Sequence, residues 1–111
     1  LALHVPQYDS VSLQVQQAFP DQAVRVLGWN MLHFYTEQSL RNAFKQTGFE
    51  AQTSWYYGLD FYELLTNLCL TVDGVIESEM YEYFMKQLNK FQEVIDQSEM
   101  SDYFTVIAVK S

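Results

Sequence analysis

Residues 36–57, TEQSLRNAFKQTGFEAQTSWYY, decide the fold class, because they change period within one short stretch. Thr36 is a good helix N-cap, since its hydroxyl can accept from a free amide two or three residues on. Glu37 then falls in the first turn, where the helix dipole favours a carboxylate. Leu40, Ala43 and Phe44 share one helical face. Thr47-Gly48 ends the helix, and Gly48 suits the left-handed position just beyond it. From Phe49 the pattern turns extended, with Thr53, Trp55, Tyr56 and Tyr57 favouring a strand over 49–57. A helix handing directly to a strand marks an α/β protein.

The other elements follow outward from this pair. At the carboxyl side, Gly58 breaks the strand, and Asp60-Phe61-Tyr62-Glu63 carries the N-cap and N3 acid of a capping box. Phe61, Leu64, Leu65 and Leu68 follow at helical spacing, and Asp73-Gly74 marks a turn. The clearest helix is expected over 77–96, where Met80, Phe84, Leu88, Phe91 and Ile95 recur every three or four residues. That stripe reads as packing, and the acids between read as a solvated face. Residues 103–109 form a nearly continuous apolar strand, so both its faces should be covered.

At the amino side, LALHVPQYDS opens with a short apolar strand, 1–5, ended by Pro6, which cannot donate to a ladder. It reads as a strand buried in a core. The chain is therefore expected to be cut from something longer. Gln7-Tyr8-Asp9-Ser10 has turn chemistry. Residues 11–19 fit a short helix through Val11, Val15 and Phe19, and fit a strand through Val11, Leu13 and Val15. Gly28-Trp29-Asn30 reads as a loop.

Bulk properties bound the function. With 111 residues the chain makes one domain, 1–111. Six basic side chains against fourteen acidic ones give a net charge of −8 without any basic cluster, so a nucleic-acid backbone or an anionic membrane would be repelled. No apolar run approaches the roughly 18 residues that span a bilayer. The lone Cys69 excludes an internal disulfide and a cysteine-based zinc site, and fits a cytoplasmic setting. No His, Cys or carboxylate cluster has metal-ligand spacing, and no Ser or Cys nucleophile has a base beside it.

Taken together, LALHVPQYDS, MLHFYTEQSLRNAFKQTGFEA (31–51) and SDYFTVIAVKS (101–111) resemble class I S-adenosylmethionine-dependent methyltransferases of the small-molecule type. Similar enzymes carry a strand ending in "vPN", an "H-x-x-x-[FY]-[ST]-x-x-x-L" passage into a helix that ends at "GF", and a last apolar strand ending in Lys. The sequence differs at Gln7, where Asn is common, and its insertion over 58–96 is a variable region of such enzymes. The resemblance implies the C-terminal part of a Rossmann-like seven-stranded methyltransferase fold: strands five to seven, an antiparallel final strand pair, and three or four helices. It implies S-adenosylmethionine as the parent enzyme's cofactor. This chain should not hold it, because Gly28, Gly48, Gly58 and Gly74 are scattered and form no glycine-rich loop. The expected partners are the missing N-terminal half of the domain and a small-molecule substrate. A homodimer through an exposed strand edge is the expectation for the isolated piece.

The same resemblance selects His33 as a general base on an acceptor hydroxyl or amine, against the plainer reading of a residue packed at a loop-to-helix junction. Pro6, Tyr8 and Asp9, at the carboxyl end of the first strand, are candidates for substrate contact, although a turn uses such residues for local reasons too. Tyr57 is a further candidate, from an aromatic run (Trp55, Tyr56, Tyr57, Phe61, Tyr62) that reads first as core and second as a wall against an apolar acceptor. His4 reads as structural. The alternative function is a stand-alone acidic α/β module for interaction or dimerisation, without catalysis.

Overall fold

A computed structural model describes residues 1–22 and 33–111 of the chain. The element order is β1 (Ala2–Pro6), α1 (Val11–Ala18), α2 (Glu37–Thr47), β2 (Phe49–Tyr57), α3 (Asp60–Thr71), α4 (Glu79–Lys86), α5 (Leu88–Gln97) and β3 (Tyr103–Lys110). Among the described residues there is one sheet, ordered β1-β3-β2, and β3 runs antiparallel to both neighbours. It follows that β1 and β2 run parallel to each other and end at the same edge, beside the start of β3. The loop expected at Gly28-Trp29-Asn30 lies outside the described residues.

The helix-to-strand unit forms as its sequence dictates. The Thr36 hydroxyl accepts from Ser39 N at 3.0 Å, and Ser39 Oγ accepts from Thr36 N at 3.0 Å, closing a reciprocal cap. Gly48 ends α2 at φ 82°, a left-handed angle that costs other residues a clash at Cβ. Leu40 and Phe44 of α2 then pack on Phe104, Val106 and Ala108 of β3, with Leu3, Val5, Phe49, Ala51 and Tyr56 around them. This is the core, on one face of the sheet.

Several expectations change. The first strand is not buried: β1 is an edge strand, with Ala2 and His4 exposed and only Pro6 fully covered. The final strand is central: Phe104, Val106 and Ala108 are buried in the core, while on its other face Thr105 is buried, Tyr103 and Ile107 are half-buried and Val109 is exposed. Its continuous apolar run thus reflects a central position with one face fully covered and the other covered in part. The ambiguous segment 11–18 is helical, capped by Ser10 Oγ, which accepts from Leu13 N at 3.2 Å. The single helix expected over 77–96 is two, α4 and α5, divided at Gln87. Five helices are thus described where three or four were expected.

The helical layer α1, α3 and α5 sits at the edge where β1 and β2 end. Gln7, buried, donates from its side chain to the carbonyls of Ser101 (2.8 Å) and Glu99 (3.0 Å). Asp60 was expected to cap its own helix, but α3 has no side-chain cap. Instead its fully buried carboxylate accepts from Ser12 N (2.9 Å), Asp102 N (3.0 Å) and Gln92 Nε2 (3.1 Å). One acid therefore ties the start of α1, the start of β3 and the middle of α5 to the first turn of α3.

Candidate functional site

Period-2 alternation places His4, Trp55, Tyr57 and Thr105 on the sheet face opposite the core. There the His4 ring lies nearly parallel to two phenol rings, with centroids 5.3 Å from Tyr57 and 4.7 Å from Tyr103. The Tyr57 hydroxyl is hydrogen-bonded to His4 Nδ1. Thr105 Oγ1 donates to the Tyr57 hydroxyl at 3.4 Å. His4, Tyr57, Gly58, Leu59, Asp102 and Tyr103 line a groove of about 300 Å³. Its floor is fixed from below, because Asp102 N is one of the three donors to Asp60. Gly58 is required there: a Cβ would lie 1.8 Å from Asp102 Oδ1 and 2.6 Å from Asp60 Oδ1.

A second feature lies beside the groove. A parallel bridge pairs Gln7 with Tyr35. Tyr35 N donates to the Pro6 carbonyl at 3.1 Å, and Tyr8 N donates to the Tyr35 carbonyl at 2.9 Å. The loop after β1 is thereby locked to the passage that enters α2.

Pro6 is buried and contributes its carbonyl to that bridge. Tyr8 is 55% exposed, so its side chain is free to meet a ligand. Asp9 is exposed in the turn before α1. His33 is exposed, its ring 6.4 Å from Tyr35, and it is not part of the groove wall. Tyr57 is in the groove, 40% exposed. Pro6 and Tyr57 flank Tyr103 on opposite sides, which sets their backbones about 9–10 Å apart at ordinary strand spacing. The structure thus brings Pro6, Tyr8 and His33 to one loop cluster and Tyr57 to the adjoining groove.

His4, Tyr103 and Asp102 were not selected from sequence. Alternation gave a signal for His4, because Leu3 and Val5 point to the core and His4 must then face the other way. Nothing local marked Asp102, whose neighbours come from 42 residues away. The aromatic run divides rather than acting as one cluster. Tyr56 stacks on Phe104 in the core (5.5 Å), and Phe61 stacks on Phe91 (4.6 Å). Trp55, Tyr57 and Tyr62 remain exposed.

The chain matches no family model, no curated protein and no solved structure.

The chemistry available at the groove is therefore read from its own groups. An imidazole hydrogen-bonded to a phenol can accept or relay a proton, and the stacked rings offer flat apolar walls. Among the described residues no group of His, Cys, Asp and Glu could hold a metal ion. On the core side, Glu37 accepts from the Tyr56 hydroxyl and pairs with Arg41. The Tyr56 hydrogen bond, then Arg41, hold the Glu37 carboxyl below its ordinary range despite partial burial. Burial and the neighbouring carboxylate push the Tyr56 phenol up. This pair closes the packing of α2 on β2 and lies on the face away from the groove.

Proposed function

We propose that the chain is the C-terminal part of a class I S-adenosylmethionine-dependent methyltransferase domain that transfers a methyl group to a small-molecule acceptor. The observation that carries this reading is the shared edge at which parallel β1 and β2 end. Open α/β sheets bind ligands at the carboxyl ends of their parallel strands. Here that edge holds the Pro6–Tyr8 loop, His33 and the Tyr57 groove. The antiparallel pairing of β2 with β3 agrees with the final strand pair that the reading requires.

The cofactor would supply the activated methyl group. The residues of this chain do not fit its holder: the turn after β1, Gln7-Tyr8-Asp9-Ser10, has no glycine, and the four glycines are far apart. Cofactor binding would therefore belong to the missing N-terminal half, which would pair along the outer edge of β1 ahead of Pro6, where the Tyr35 bridge begins. In the isolated chain that edge would pair with a second copy. The chain's own part is to receive the acceptor in the groove that His4, Tyr57 and Tyr103 line, to orient it, and to remove its proton. A groove of about 300 Å³ is at the lower end of the roughly 300–1,000 Å³ of small-molecule sites, which suits one planar ring. No described helix is long and apolar enough to cross a membrane, and a cytoplasmic setting belongs to this proposal.

Two measurements test it. The coding sequence upstream of Leu1 should encode an apolar strand followed by a glycine-rich turn. Calorimetric titration of S-adenosylmethionine into the 111-residue chain should show no binding. Micromolar affinity for this chain alone, or an upstream sequence without that turn, would remove the assignment.

A further inference from the structure

Residues 60–99 hold nine acidic and two basic side chains, a net −7 out of the chain's −8. The same segment carries most of the exposed large apolar side chains, and they are not scattered. Tyr62, Cys69 and Leu70 of α3, Ile76 of the connection, and Tyr81 and Met85 of α4 line a groove of about 240 Å³. Leu70 and Ile76 are 63% and 56% exposed, so the apolar wall stands open to water. The groove is too small for a typical whole ligand, whose sites begin at roughly 300 Å³. It is suited to apolar anchors projecting from a helix. Met85 adds an unbranched, adaptable surface.

The charge around it identifies the occupant. Asp73, Glu77, Glu79 and Glu82 are exposed and lie within three residues of groove-lining positions. The nearby Lys86 is already engaged with Glu82, at 3.1 Å. A second copy of this chain would bring the same acidic rim against its own, and an anionic membrane would be repelled for the same reason. A helix with apolar residues at i, i+3/i+4 and i+7 and lysine or arginine on its flanks satisfies both the groove and its rim. We propose that the α3–α4 groove is a docking site for a basic amphipathic helical segment of a partner protein. It is separate from the groove at His4 and Tyr57, and it does not depend on the methyltransferase reading.

The test titrates a Leu–Lys amphipathic helical peptide into the full 111-residue chain by calorimetry. A scrambled peptide of the same composition and a Leu–Glu helix serve as comparisons. The Leu–Lys helix should bind, should weaken as salt is raised, and should lose about tenfold or more in affinity with Ile76→Asp. Leu70→Asp probes the other wall and should act alike, with circular dichroism confirming that each variant is folded. Val94→Asp, exposed on α5 and outside the groove, should leave binding unchanged. The proposal fails if the scrambled peptide binds equally, if neither groove variant changes affinity, or if no binding is seen. It also fails if sedimentation shows a dimer that Ile76→Asp dissociates, which would make a second copy the occupant.

Discussion

Removing the Asp60 carboxylate should be the most damaging single polar change among the described residues. Asp60→Ala deletes the acceptor for two buried backbone donors, Ser12 N and Asp102 N, and for Gln92 Nε2. Ser12, Asp60 and Asp102 are each fully buried, so water cannot replace the lost partner without opening the α1–α3 contact. A buried donor left unsatisfied costs about 1–3 kcal/mol, so the two amides alone cost about 2–6 kcal/mol. The stability of a small domain is about 5–15 kcal/mol, so much of it would go. Asp60→Asn keeps the shape and one acceptor oxygen. That oxygen can serve Ser12, or Asp102 with Gln92, but not both, so about half the loss is expected. Urea unfolding followed by circular dichroism reads this as a drop in midpoint with little change in slope. A loss below about 1 kcal/mol for Asp60→Ala would refute the reasoning, since it would mean that the two amides find other partners.

Three further perturbations follow from the same contacts. Gly58→Ala forces a Cβ to within 1.8 Å of Asp102 Oδ1 and should cost about 1–3 kcal/mol as overpacking, measured by the same unfolding. Thr36→Ala removes the cap on Ser39 N and should cost about 1 kcal/mol, seen as a lower thermal midpoint. Tyr56→Phe removes the donor that most lowers the Glu37 carboxyl. A depressed carboxyl stabilises the fold above its ordinary value and loses that contribution as pH falls through the depressed value. Wild type should therefore lose stability on acidification more steeply than Tyr56→Phe does, checked by urea midpoints across the acid range. The Tyr56 phenol is raised, so it favours the fold below its ordinary range and loses that as pH rises through the raised value. The alkaline limb should thus also flatten in the variant.

Much of the architecture was readable because local rules and packing agree. Thr36, Leu40, Phe44 and Gly48 announce α2, and the alternation after Phe49 announces β2, since cap, period and stop all lie within a few residues. Where the sequence misleads, a distant partner has taken over a local signal. Asp60 has the position of a helix cap, but the amides it serves belong to residues 12 and 102. The stripe from Met80 to Ile95 keeps helical spacing through Gln87, and nothing in that spacing shows that the chain divides there into two short helices. Gln7 has the look of a turn residue, yet its side chain is buried and holds the loop before β3.

The candidate groove was harder to see for the same reason. Its aromatic walls come from three strands that meet only through the β1-β3-β2 order, so His4, Tyr57 and Tyr103 are neighbours in space and strangers in sequence. Asp60 links this groove to stability. It holds Asp102 in the wall, and Gly58, also in the wall, can only be glycine because the two acids crowd it. In a groove supported in this way the connecting residues Gly58 and Asp102 are held by buried contacts, which is the arrangement a pre-organised binding site needs. Loss of Asp60 should therefore deform the His4–Tyr57 pair before the distant α2–β2 core melts. Near-ultraviolet circular dichroism of the tyrosines in Asp60→Asn, below its unfolding midpoint, separates the two events.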